Sequence, residues 1–294
     1  MGKLFVIASA CCFGFSNAYW KKAIAETPFL LVIFLRGIIT TTLFGVVWFL
    51  ASKYNFFFAY IVNASDFTSL KLFYTFSICF FSGFGLLFFV RSMQFEKVSI
   101  VVPLSSVNIF SILTATFVLR EDWQSVYTIS IGLTIIGVWL VFANNEKTTS
   151  VRNFKNALYT SLLASFFWGI SYALFKIPIK WVGALPFSFI LELSITLFAF
   201  LAAIANRSIT QIIKKEHFKN AHHYFILALL AGGGTFFINL ALINTPITAI
   251  NILSNTSQLV ALLLAYLLYQ EKLVLKQWIG VFAILVAIFL ISIL

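Results

Sequence analysis

Two residues of opposite charge stand where charge is costly. Arg36 and Glu192 each lie inside a long apolar run, and a charged side chain at the centre of a spanning helix costs about 2.5–3.5 kcal/mol on insertion scales. Such groups usually face a bundle interior or a wet cavity. An arginine there can bind a carboxylate through its planar fork, and a glutamate can take an amine or a coupling proton. A structural ion pair, or long side chains snorkelling to the interface, is the competing use. Arg36 comes eight residues after Pro28 and Glu192 six after Pro186, roughly 9–12 Å along their helices at 1.5 Å per residue. If the two helices enter from opposite sides, the two groups are expected on either side of the midplane.

Neutral polar groups accompany them. Asn17 and Lys21 share a face at i, i+4 spacing, and Ser171 with Lys176 echoes them later in the chain. Asn251, Asn255 and Gln258 follow i, i+4, i+7, one helical face, with Asn108 at the position that aligns with Gln258. Amides donate and accept at once, which suits a zwitterionic or hydroxylated solute. Interhelical hydrogen bonding is the alternative for the amides, and interfacial anchoring for the lysines. Trp168, Tyr172, Tyr19 and Trp20 can wall a solute or sit at the headgroup level. Gly232, Gly233 and Gly234, with Gly83 and Gly85, suit close backbone packing better than a broken-helix site.

Other chemistries find no residues. There is no G-x-x-x-x-G-K-[ST] and no H-E-x-x-H, and the histidines His217, His222 and His223 gather by a loop. No nucleophile–base pair or carboxylate dyad is evident in the apolar runs. Cys11, Cys12 and Cys79 are odd in number, match no metal spacing and read as inert buried thiols. Neither an enzyme nor a cofactor or metal site is expected.

The elements that must position these groups are membrane helices. The chain is 61% hydrophobic and 10% charged with a mean hydropathy of +1.01, against about 25% charged residues in soluble domains. Lipid must be the solvent for much of it. The net charge of +11 is scattered between apolar runs rather than gathered in a stripe, which argues against nucleic acid and for helix-flanking anchors. Runs long enough to span occur at 4–20, 28–52, 72–90, 98–119, 126–143, 157–175, 181–205, 224–243, 247–269 and 277–294. Of all Lys, Arg, Asp and Glu residues, only Arg36 and Glu192 fall within them. The segment 56–60 is too short to span and is expected at the interface. The N-terminal run is kept as a spanning helix, because Ala8-Ser9-Ala10 follows too short an apolar stretch for a cleavage site.

The runs are duplicated. Gly14-Phe15-Ser16-Asn17-Ala18-Tyr19-Trp20-Lys21 reappears as Gly169-Ile170-Ser171-Tyr172-Ala173-Leu174-Phe175-Lys176, a shared G-x-S-x-A-x-x-K at an offset of 155. Pro28-Phe29 and Pro186-Phe187 then open the following runs, and Arg120-Glu121 matches Gln270-Glu271 at an offset of 150. The expected domains are a five-helix repeat at 1–145, a linker at 146–156 and a second repeat at 157–294. Five is odd, so the second repeat enters the membrane from the other side. Inverted repeats of this kind hold a solute near the midplane in many secondary transporters. The fold class is therefore all-α integral membrane, ten transmembrane helices in two inverted five-helix repeats, with a cavity lined by the first, second, fourth, sixth, seventh and ninth.

With these residues in view, the chain resembles the EamA-type transporters of the drug/metabolite transporter superfamily. The likeness rests on the G-x-S-x-A-x-x-K pattern, Pro28 with Leu35-Arg36, Pro103, the Glu121 and Glu271 turns, and Glu271-Lys272-Leu273 followed by Gln277-Trp278-Ile279-Gly280. Leu253 stands where the second half should repeat Pro103, so bending there is expected to differ. The resemblance implies movement of amino acids, sugars or other metabolites, often outward, from the bacterial inner (plasma) membrane. An amino acid or similar zwitterion is the reading from Arg36 and Glu192 together, with a coupling proton as a further partner. A multidrug or cation exporter, a sugar uptake carrier and a channel are the alternatives. Both repeats lie in one chain, so a monomer suffices, with a homodimer as the other assembly. Lys and Arg favour one face by 13 to 6, which puts both termini outside by the positive-inside rule, whereas the resemblance puts them in the cytoplasm.

Overall fold

Apolar runs bounded by prolines and polar residues become helices, since only helices and closed barrels satisfy their own backbone groups in lipid. In the computed structural model, residues 1–25, 27–54, 68–106, 109–142, 151–206, 221–271 and 274–292 are described. They form α1 (Gly2–Ala23), α2 (Phe29–Tyr54), α3 (Ser69–Ser92), α4 (Val98–Ser105), α5 (Ile109–Phe117), α6 (Ser125–Phe142) and α7 (Val151–Leu174). There follow α8 (Lys176–Val182), α9 (Ala184–Ala205), α10 (Ala221–Asn244), α11 (Ile247–Ser254), α12 (Thr256–Tyr269) and α13 (Leu275–Ser292). Seven spans among the described residues are long and apolar enough to cross a membrane, with shorter apolar stretches in α6 and α13. Joining α4 with α5, α7 with α8, and α11 with α12 gives ten helical units among the described residues, five on each side of residues 143–150. The expected interfacial segment 56–60 lies outside the described residues. Of the expected linker, residues 151–156 belong to the first turns of α7.

Of the three spans made of two helices, those of α4–α5 and α11–α12 break for different local reasons. Pro103 sits inside α4, where it removes an N–H from the helical ladder, and the helix ends at Ser105. The second repeat breaks without a proline. There Asn255 N–H donates to Ile252 O at 3.1 Å and Gln258 N–H to Asn255 O at 3.0 Å, tightened i to i−3 turns that separate α11 from α12. The absence of a proline at Leu253 therefore changes how the span breaks, and it still breaks.

Packing is exchanged between repeats. Helix α1 lies chiefly on α10 and α12, and its counterpart α7 lies on α3 and α4–α5; α2 packs on α9, and α6 on α13. Each pairing maps onto itself or onto another when the repeats are swapped, the signature of a two-fold relation between inverted halves. Small residues permit the closest approaches. A Cβ on Gly14 would come within 2.8 Å of Ser257 O and 2.5 Å of Val260 Cβ on α12. On Gly169, its equivalent, a Cβ would come within 2.8 Å of Phe110 Cβ and 3.0 Å of Ser111 N on α5. The duplicated glycine of the sequence motif is thus a duplicated helix contact. Gly85 likewise lies under the Trp168 ring and Gly234 under the Phe13 ring, so close packing is what these glycines serve.

Gly14→Ala and Gly169→Ala are each expected to lower the thermal midpoint of the purified protein, by about 1–3 kcal/mol of overpacking per site. Gly132→Ala is the control, because a methyl there meets nothing within 4 Å. Equal midpoints in all three variants would mean the helices separate without cost.

Candidate functional site

Where the broken spans meet the exchanged pairs, a cavity of about 130 Å³ remains, room for on the order of ten waters or one small solute. Of the residues singled out in the sequence, Asn17, Arg36, Trp168, Tyr172, Glu192 and Asn251 line it. The Trp168 and Tyr172 rings stack at 6.1 Å with 14° between planes and form one wall. Trp20 lines the cavity as well, whereas Tyr19 does not: its hydroxyl lies 2.6 Å from His223 Nδ1, tying α1 to α10.

Arg36 and Glu192 meet. Arg36 Nη1 donates to Glu192 Oε2 at 2.6 Å and Nη2 to Oε1 at 3.5 Å, with side chains 4% and 1% exposed. Thr235 Oγ1 donates to Glu192 Oε1 at 3.2 Å. The expectation of two groups held apart across the midplane is thus corrected: α2 and α9 cross face to face, and the long arginine stem bridges any difference in depth. Gly37 permits this crossing, since a Cβ there would reach 2.4 Å from Thr196 Oγ1 on α9.

Other expected site residues have partners away from the cavity lining. Ser171 donates to Phe167 O within α7 at 2.6 Å. Asn255 Nδ2 donates to Thr134 Oγ1 at 3.3 Å, and Gln258 Nε2 to Asn255 Oδ1 at 2.9 Å, a network that braces the break against α6. Asn108 lies outside the described residues. Ser105 and Ser106, on the fourth span that mirrors the polar ninth, line the cavity too, and lining groups that the pattern did not single out include Ser16, Ser82, Ser165 and Thr235. Ser82 and Thr235 sit beside the glycines of α3 and α10, a proximity that would have drawn attention to both.

Lys21 and Lys176 serve the helix ends. Lys176 Nζ donates to Glu121 Oε1 at 2.7 Å and approaches Thr245 O at 3.5 Å. The Glu121 carboxylate also accepts Ile247 N–H at 2.9 Å and Thr248 N–H at 3.3 Å, capping the start of α11. The second clasp mirrors the first: Lys21 Nζ donates to Glu96 O at 3.0 Å, and Glu271 Oε2 accepts Ser99 N–H at 3.1 Å at the start of α4. A carboxylate at a helix N-terminus satisfies orphan donors and complements the dipole. Both glutamates follow a residue in the left-handed region, Arg120 and Gln270, each with φ 54°. Counting crossings puts the Glu121 clasp on one face of the bundle and the Glu271 clasp on the other.

Residues 155–293 match the model of the EamA-like transporter family. A solved crystal structure of a protein is 11% identical over 99% of this chain and 96% of its own, with a TM-score of 0.69, a likeness that shows the fold across both repeats. No curated protein matches the chain.

Proposed function

We propose that this chain, whose residues 155–293 match the EamA-like transporter family, moves a small zwitterion, an amino acid or close analogue, by alternating access. It is a multi-pass membrane transporter of the drug/metabolite transporter superfamily. One observation carries the finer reading. A guanidinium and a carboxylate, one from each repeat, meet on a cavity that also presents Asn17 and Asn251. A solute bearing both charges complements both. A carboxylate has about four lone-pair sites, so Glu192 keeps capacity for an amine beside Arg36 and Thr235. The clasps at Glu121 and Glu271 support alternating access, since each can close one face. Outward movement and a coupling proton at Glu192 complete the proposal.

Untargeted metabolite profiling of expressing cells tests it, followed by counterflow of the solutes found in proteoliposomes. A few amino acids should be depleted from cells expressing the wild type, with saturable counterflow. Glu192→Gln should reduce that flux at least tenfold at matched expression. Redistribution of neutral sugars that tolerates Glu192→Gln, or of aromatic cations, would replace the zwitterion reading. Flux without saturation or counterflow would make the protein a channel.

A further inference from the structure

Arg36 is held by its tip alone. Its Nη atoms donate to Glu192, while its Nε is buried with no hydrogen-bond partner among the described residues. Two serine hydroxyls on the same cavity are in the same condition: Ser16 on α1 and Ser105 at the end of α4, 1% and 3% exposed. All three groups come from the first repeat. The facing wall differs, because Glu192 already accepts from Arg36 and Thr235, and Asn251 Nδ2 donates to Ser111 Oγ at 2.8 Å. A buried polar group without a partner carries its full desolvation penalty. Thr116, Ser130 and Ser161 also bury an unpartnered hydroxyl, but none of them lines the cavity. The three unpartnered groups of Ser16, Ser105 and Arg36 belong to residues that do, where a partner can arrive from outside.

The chemistry of that partner follows from the inventory. The arginine Nε–H can only donate, and each serine hydroxyl can turn its hydrogen toward an acceptor. One acceptor-rich group bound among them would satisfy all three, and charge-assisted bonds to an oxyanion are the strongest of their kind. We propose that Ser16, Ser105 and Arg36 Nε form the anion pole of the cavity, which takes the substrate's carboxylate while the Arg36–Glu192 pair stays closed. Glu192 is then a positioning residue for the guanidinium as well as the acceptor for the amine. The ligand does not have to break an ion pair to enter. This inference rests on the zwitterion reading and adds where each end of the solute lies: carboxylate toward the first repeat, amine toward the second.

Ligand-dependent thermal unfolding of the full-length protein in detergent tests it. The probes are the common amino acids, then the carboxamide of each one that binds, and inorganic phosphate as a second oxyanion. Amidation should weaken binding about a hundredfold. The Ser16→Ala/Ser105→Ala double variant should bind the acid about a hundredfold more weakly, about tenfold per lost charge-assisted bond. Its ligand-free midpoint should hold or rise, because two unpartnered buried hydroxyls are gone. A merely structural role would move affinity and midpoint the same way. Carboxamides that bind as tightly as the acids, or wild-type affinity in the double variant, would overturn the anion pole and leave the zwitterion reading standing. Serine-dependent binding of phosphate with no amino acid bound would keep the pole and remove the zwitterion. No shift with any probe would overturn both.

Discussion

Arg36→Met alone should cost about 3–5 kcal/mol of stability, and adding Glu192→Leu should return most of it without returning transport. The first half follows from leaving a 1%-exposed carboxylate with no countercharge in a low-dielectric interior. The second follows because a buried ion pair replaced by packed apolar side chains is often neutral or better. Thr235 Oγ1, which now donates to Glu192, can turn back to its own helix when the carboxylate is gone. Unfolding of both variants in detergent gives the stability arm, and counterflow in proteoliposomes the functional one. A double variant that is stable and silent assigns the pair to solute binding. One that is stable and transports at the wild-type rate would reduce the pair to scaffolding.

Glu121→Ala should open one face of the cavity, and Glu271→Ala the other. Glu121 receives two backbone N–H groups and the Lys176 ammonium, so its loss should cost about 2–4 kcal/mol once solvent screening of this partly exposed cluster is allowed for. That energy holds the start of α11 against the ends of α5 and α7. Ser257 lines the cavity, and a Ser257→Cys reporter, in a background with Cys11, Cys12 and Cys79 replaced, reads access by a membrane-impermeant maleimide. Labelling should rise about tenfold from one side of oriented vesicles in Glu121→Ala and from the opposite side in Glu271→Ala. A rise from the same side in both would rule out the clasps as opposing closures.

The residues of this chain announced its architecture more clearly than its site. Ten runs with their bounding prolines and polar residues were enough to place the helices, because length and breakers are properties of a line of residues. The direction each side chain faces is not. Helices such as α2 are apolar nearly all round, so no stripe marks the inward side, and Ser16 could not be told from Ser171 although they share a motif neighbourhood. One faces the cavity and the other bonds within its own helix. Lys21 and Lys176 looked like cavity residues by spacing from Asn17 and Ser171. Their partners, the glutamates and carbonyls at distant helix ends, are set by tertiary approach. The second break was hidden for a similar reason: Asn255 bends its span by backbone geometry with no proline to announce it.

The exchange of partners between repeats also bears on how the chain is made. Arg36 and Glu192 are 156 residues apart, and at synthesis rates of about 5–20 residues per second the arginine enters the bilayer roughly 8–30 seconds before its carboxylate exists. Helices α2 and α6 wait about as long for α9 and α13, and α1 waits longer for α10. The first repeat must therefore persist in the membrane as separately inserted helices, shielded by lipid or by the insertion machinery, until the second repeat threads between them. Assembly can begin when α7 reaches α3 and closes only when α13 meets α6 near the end of translation, and the two halves are natural candidates for reassembly when supplied as separate chains.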